Sequence, residues 1–212
     1  METDGEPSPR ELPIIGGHLA LDFANTVDDP EGPRRHDHIA SYEDLASWAV
    51  RVRVISTTSA KRLLRAAAKR PAQAAETLVS AQQLRAALND VFGAVADGTP
   101  HAPRYWINLR PFAASALAAA TLDVTDAYEP HWTWPDTGDL AAVLHPIGLA
   151  AANLLTSDDL RRVKRCGRCP WLFLDNSKNH SRRWCDMNDC GRAQKIERYV
   201  ARRSAARQRA NA

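Results

Sequence analysis

The sequence predicts an α+β chain in two parts: a mainly helical N-terminal domain with a short strand pair, and a small C-terminal unit organised by four cysteines. Three observations predict it. Apolar residues recur at helical spacing over most of the segment from Leu45 to Leu155, the stretch Thr121 to Trp134 shifts to strand-like composition, and every cysteine falls between Cys166 and Cys190. Charge divides at the same place. Residues 1–159 hold 13 Lys and Arg against 21 Asp and Glu, a net −8, whereas residues 160–212 hold 15 against 4, a net +11. An acidic body with a basic tail is expected when the tail meets a polyanion, nucleic acid more often than membrane.

The N-terminal residues 1–11 are acidic and Pro-rich and lack the charged and apolar regions of a secretory signal, so a disordered start and a cytoplasmic protein are expected. The richest apolar run, Leu140 to Leu155, is too short for a membrane span and reads as a buried helix. The first domain is placed at 12–156. It opens with the apolar segment Gly16 to Val27 and a breaker-rich loop, Asp28 to Asp37. Ser41 and Asp44 form a capping-box pattern ahead of Leu45, Trp48, Ala49 and Val52, the spacing of an amphipathic helix. Further helices are predicted over Ser59–Lys69, Pro71–Ala96, Trp106–Ala120 and Asp139–Leu155, with a strand pair in Thr121–Trp134. Thr156 to Asp159 reads as the junction to a second unit, 160–212.

In that unit the spacing is Cys166-x2-Cys169-x15-Cys185-x4-Cys190. Two close pairs separated by 15 residues suit a tetrahedral zinc site, because each pair forms a tight knuckle and the intervening chain brings the knuckles together. Four thiolates leave no open position for water, so one structural zinc ion per chain and no catalysis are expected. Trp171–Leu174 reads as a strand with Arg182–Trp184 as its return strand, and Cys190–Gly191 as the opening of a helix. Knuckle, hairpin and helix in this order predict a treble-clef-like finger, with Trp171 and Trp184 in its small core.

On the final helix Lys195, Arg198, Arg202 and Arg209 form one stripe, and Ala193, Ile196 and Val200 fall on the opposite side as the expected packing face. Lys178, Arg182 and Arg183 extend the stripe, and Arg192 is placed to reach a base edge. DNA is the expected partner; an acidic protein or RNA is the alternative this surface leaves open.

The C-terminal part resembles the CGNR-type zinc finger, a bacterial family with Cys pairs around a W-L-F-x-D segment, an R-R-W-C run and a closing C-G-N-R-x-K. The matching residues are Trp171-Leu172-Phe173-Leu174-Asp175, Arg182-Arg183-Trp184-Cys185, Cys190-Gly191 and Lys195. His18 to Val27 resembles the opening of the ABATE domain, which precedes this finger in stress-responsive transcriptional regulators. The resemblance implies DNA binding and regulation. One departure is that Arg192-Ala193 stand where the family has Asn-Arg, which moves an arginine 100° around the helix and leaves the zinc ligands untouched.

Enzyme patterns are missing from the sequence: no Ser/His/Asp or Cys/His set, no phosphate loop, and no βαβ setting for a redox Cys-x-x-Cys. His18, Asp22 and Asn25 recur at helical spacing, and capping or backbone bonding within the domain is the plainer reading of the latter two. A regulator needs somewhere to receive a signal, and Tyr105, Trp106, Trp132 and Trp134, with Asp22 and Asn25, are the candidate lining of a pocket for a small-molecule effector. A single finger has a small footprint, so a homodimer would add affinity.

Overall fold

A computed structural model describes residues 12–28, 35–99 and 103–210; the expected disordered start, 1–11, and most of the loop after Asp28 lie outside them. At the centre is α1 (Leu19–Ala24), whose Ala20, Leu21, Phe23 and Ala24 are all buried. Six residues apolar nearly all round make a helix only when packed on every side. Its N-terminal entry is fixed locally: His18 Nδ1 accepts from Ala20 N at 3.3 Å, and Asp22 Oδ1 accepts from Gly16 N at 2.7 Å.

Around α1 are arranged α2 (Tyr42–Arg51), α3 (Thr57–Lys69), α4 (Pro71–Ala96), α5 (Pro103–Ala119) and α6 (His145–Thr156). The capping box on α2 forms as predicted, Asp44 N donating to Ser41 Oγ at 3.1 Å and Ser41 N to Asp44 Oδ2 at 2.9 Å. Leu45, Trp48 and Ala49 face the core, where the Trp48 ring meets Phe23 with centroids 5.0 Å apart. Helix α3 starts earlier than expected because Ser56, not a later residue, caps it, accepting from Ser59 N at 3.0 Å. Pro71 opens α4 and Asp97 closes it. The predicted Asp139–Leu155 helix is two elements, a 3-10 turn (Leu140–Leu144) followed by α6, since Pro146 has no N–H to continue an α-helical ladder through that point. Among the described residues no helix is long and apolar enough to cross a membrane.

The expected class is observed, mainly helical with short strand pairs, and the described residues hold three such pairs. The predicted one is β3 (Thr121–Val124) with β4 (Pro130–Thr133), antiparallel with Leu122 opposite Trp132. An unpredicted one is β1 (Val27–Asp28) with β2 (His36–Asp37), held by the buried Arg85, whose guanidinium bonds both oxygens of Asp37 at 2.6 and 2.5 Å and Thr26 O at 3.3 Å. The third corrects the predicted hairpin. β6 (Leu172–Leu174) pairs with β5 (Val163–Arg165), which precedes the first cysteine, and Arg182–Trp184 is not a strand. Val163-Lys164-Arg165 carries too little apolar pattern to read as a strand, so the sequence points the apolar β6 to a partner on its other side.

The core does not stop at the junction. Leu21 and Phe92 of the helical part and Leu172 and Phe173 of β6 are fully buried in one continuous cluster that reaches Cys166 and Cys185.

Candidate metal centre and basic surface

Cys166 follows β5 and Cys169 lies in the turn before β6, which is closed by Cys166 N donating to Trp171 O at 2.9 Å. Cys190 ends a single wide turn, Met187–Gly191, which leads directly into α7 (Arg192–Ala210). The four Sγ atoms lie within 4.8 Å of one another, with Cys169 to Cys185 at 3.5 Å and Cys185 to Cys190 at 3.7 Å. Thiolates about 2.3 Å from a tetrahedrally bound zinc are separated by roughly 3.8 Å, so the donor set fits that ion in identity and spacing. Its electrostatics fit as well. Hydrogen bonds from Cys169 and Cys185 hold the Cys166 thiol far below its ordinary value, and the same contact with Cys166 pushes Cys169 up to about 12 and Cys185 higher still. One thiolate is supported by its neighbours; four ionise together only around a cation.

The ligands are positioned by two side chains. Trp184 lies between the glycines that follow a cysteine in each knuckle: a Cβ on Gly167 would stand 2.8 Å from its Cζ3, and one on Gly191 3.1 Å from its Cδ1. Asp175, fully buried, accepts from Lys164 Nζ at 2.6 Å, Arg182 N and Ser177 N at 3.0 Å, and Ser177 Oγ at 2.6 Å. Burial alone would raise its pKa, but these bonds, led by that from Lys164, hold it well below the usual carboxylate range. The loop between the knuckles is thus ordered around one carboxylate in place of a strand ladder. Arg182, expected at the nucleic-acid surface, belongs to this framework instead: half-buried, it stacks 4.6 Å from the Phe173 ring centre and donates to Trp184 O at 2.8 Å and to Cys185 O.

Three contacts fasten the metal centre to the helical part. Asn25 and Leu172 exchange two hydrogen bonds, Leu174 N donates to Gly16 O at 2.7 Å, and Arg165 bonds Asp97 at 3.0 and 2.9 Å across the end of α4. The last pair is part-exposed and contributes at most about 1 kcal/mol; the buried backbone bonds are the stronger fastening.

Helix α7 makes its main packing contact with the turn that carries Cys190. Lys195, Arg198 and Arg202 are exposed and, with Tyr199, line one shallow groove. Arg192, Arg183 and Lys178 are exposed nearby in sequence, Arg183 lying 5.3 Å from the Trp184 ring centre. Glu197, the one acidic residue of α7, is bonded to Arg168 Nη1 at 2.6 Å. The expected packing face is corrected: Ala193 is half-buried, but Ile196 and Val200 are 53% and 55% exposed, because among the described residues no element packs closely against that side of the helix. The side chain of Arg209 lies outside the described residues. Sequence reasoning missed Arg168, whose place inside the first knuckle aims it at α7, and Arg203, which bonds Tyr199 Oη at 3.3 Å and was legible as an i, i+4 pair.

Residues 162–203, which contain this centre, match the CGNR zinc finger, and residues 17–158 match the ABATE family, described as "Putative stress-induced transcription regulator". The chain belongs to the ABATE family. A search of the curated proteins finds no match.

Within the ABATE part the six candidate effector residues do not form one site. Trp132 and Trp134 line a cleft of about 550 Å³ between the α2–α3 turn and the segment after β4. Tyr105 and Trp106 are on α5 and outside its lining, while Asn25 is buried against β6. Asp22 is half-buried beside Gly16, where burial, partly offset by backbone bonds, pushes its carboxyl up to about 6.

Proposed function

We propose that this ABATE-family chain is a zinc-dependent, DNA-binding regulator of transcription. The zinc is structural: Cys166, Cys169, Cys185 and Cys190 complete its coordination, and what it supplies is a fixed starting point for α7. The supporting observation is the charge of that helix. It carries seven Lys and Arg, its single acid is already paired with Arg168, and it extends about 28 Å at 1.5 Å per residue, clear of the body over most of its length. Lys195, Arg198 and Arg202, with Arg183 and Lys178, are suited to phosphate, and Arg192 at the first helical position is suited to a base edge. Arg182 is excluded from this set, since it holds the backbone beside Cys185.

The test is duplex binding by fluorescence anisotropy across a salt series. Replacing Arg198 and Arg202 together by Ala is expected to weaken binding and flatten the slope of log K against log salt by about 1.8, two phosphate contacts at about 0.9 each. Unchanged affinity and slope would remove this face from the interface. A second reading, an acidic protein partner, is favoured by the exposed Ile196 and Val200 beside the basic stripe. It predicts that replacing these two by Ser weakens the partner complex, whereas phosphate-dominated DNA binding is little changed.

A further inference from the structure

The cleft beside Trp132 has features of a ligand site. Its volume, about 550 Å³, lies within the range of small-molecule pockets, roughly 300–1,000 Å³. Its apolar surface comes from Leu19, Val52, Leu63, Val143 and Pro146, and Trp132 is part of the same lining. The segment after β4 is pinned in place over it. Trp134 Nε1 donates to Ala116 O at 2.8 Å, Arg62 pairs with Asp136, and Arg70 Nη2 donates to Gly138 O at 2.7 Å.

These bonds engage both carboxylates of the site. Of its two carboxylates, Asp136 is neutralised by Arg62, and Asp139 accepts from Ala141 N at 3.0 Å as the cap of the following turn. Arg53 is the single cation of the lining, is exposed, and has no acidic partner among the described residues. Its backbone is fixed by the tight turn after α2, where Arg53 N donates to Val50 O at 3.0 Å, Val54 N to Ala49 O at 2.8 Å, and Arg53 adopts φ +61°. The hydroxyls of Ser56 and Ser59, 3.0 Å apart, stand at the same rim.

We infer that this cleft binds a small amphipathic monocarboxylate, its apolar or aromatic body against Trp132 and the Leu19–Val143 surface and its carboxylate on Arg53. A cationic ligand would find Asp136 paired with Arg62, the Asp139 carboxylate bonded to Ala141 N, and the Arg53 guanidinium in the same lining, and a polyanion such as a nucleotide phosphate would find one guanidinium where several cations are needed. The cleft also touches the metal centre's support, since Leu19 and Asn25 belong to the same short helix segment. Binding of this ligand is independent of whether α7 contacts DNA.

The test is calorimetric titration of the full zinc-loaded chain with phenylbutyrate, phenylbutanol and phenylbutylamine, which share a body and differ in head-group charge. The acid is expected to bind at one site per chain, about tenfold more tightly than the alcohol, with the amine weakest. Arg53→Gly, which suits the positive φ, is expected to reduce the acid to the level of the alcohol without lowering the thermal midpoint or the affinity for the alcohol. Trp132→Ala is expected to weaken acid and alcohol alike. Equal binding of acid and amine, an unaffected acid in Arg53→Gly, or no saturable acid binding up to about 1 mM would overturn the inference.

Discussion

The carboxamide of Asn25 occupies the place of a neighbouring strand on Leu172: its Nδ2 donates to Leu172 O and its Oδ1 accepts from Leu172 N, both at 2.8 Å, across 147 residues of chain. β6 has β5 on one edge, and on the other, among the described residues, it has no strand but this side chain and Gly16 O. An asparagine serves here because it alone among side chains of its size presents a donor and an acceptor in peptide-like geometry. The zinc finger is thereby built onto α1, and the two family segments share a core and a hydrogen-bonded seam.

Asn25→Ala is therefore expected to destabilise the whole chain. It leaves a buried N–H and a buried C=O unpaired, a loss of roughly 2 to 4 kcal/mol in urea unfolding with zinc in excess. Asn25→Asp should not rescue it, since a carboxylate cannot donate to Leu172 O. A loss below about 0.5 kcal/mol would show that the seam contributes little.

Metal removal should be felt in the body as well as in the finger. Stripping zinc with a chelator is expected to lower the thermal midpoint of a single unfolding transition that includes the Phe23–Trp48 pair, because Leu172 and Phe173 belong to the same core. Two transitions, with the one reporting Trp48 insensitive to chelator, would contradict this.

Asp175 gives a pH-dependent prediction. Its folded-state pKa is depressed, so its contribution is present in full above the unfolded carboxylate value of about 3.9 and is lost as pH falls below it. Asp175→Asn, which sets an amide N–H₂ against Lys164 and the Arg182 N–H, should cost roughly 2 to 4 kcal/mol at neutral pH. The gap between variant and wild type should narrow in unfolding measurements below about pH 4.

Asp22 behaves in the opposite sense. Its pKa is raised to about 6, so the folded chain binds a proton that the unfolded chain has released, and stability from this group falls as pH rises from about 4 through 6. Asp22→Asn keeps an acceptor for Gly16 N and should be at least as stable as wild type at pH 7 and lose that advantage toward pH 4. Thermal melts at the two pH values check the sign; a variant less stable at pH 7 than at pH 4, relative to wild type, would refute it.

Patterned features were legible from sequence alone. The Ser41/Asp44 box, Pro71 opening α4, the strand pair in Thr121–Trp134 and the four cysteines each follow from a local rule of capping, proline geometry, alternation or ligand spacing. What was not legible depends on contacts distant in sequence. Lys164 and Arg165 carry no local signal of their roles, because their partners, Asp175 and Asp97, are 11 and 68 residues away. Arg182 read as surface charge because nothing local shows that its guanidinium turns back to Trp184 and Cys185. Ile196 and Val200 have the spacing of a packing face, but periodicity cannot tell whether a partner element exists. The effector residues were grouped by type, and the fold sends Trp132 and Trp134 to a cleft that Tyr105 and Trp106 do not reach.

The most direct measurement is the salt dependence of duplex DNA binding by the zinc-loaded and the metal-stripped chain, with zinc content determined on the same samples. The expected result is one zinc per chain, a slope of log K against log salt near −4.5 for the loaded protein, from about five phosphate contacts at about 0.9 each, and a large loss of affinity on stripping. A slope shallower than about −2, or equal binding with and without metal, would contradict a zinc-held basic helix as the DNA-binding element.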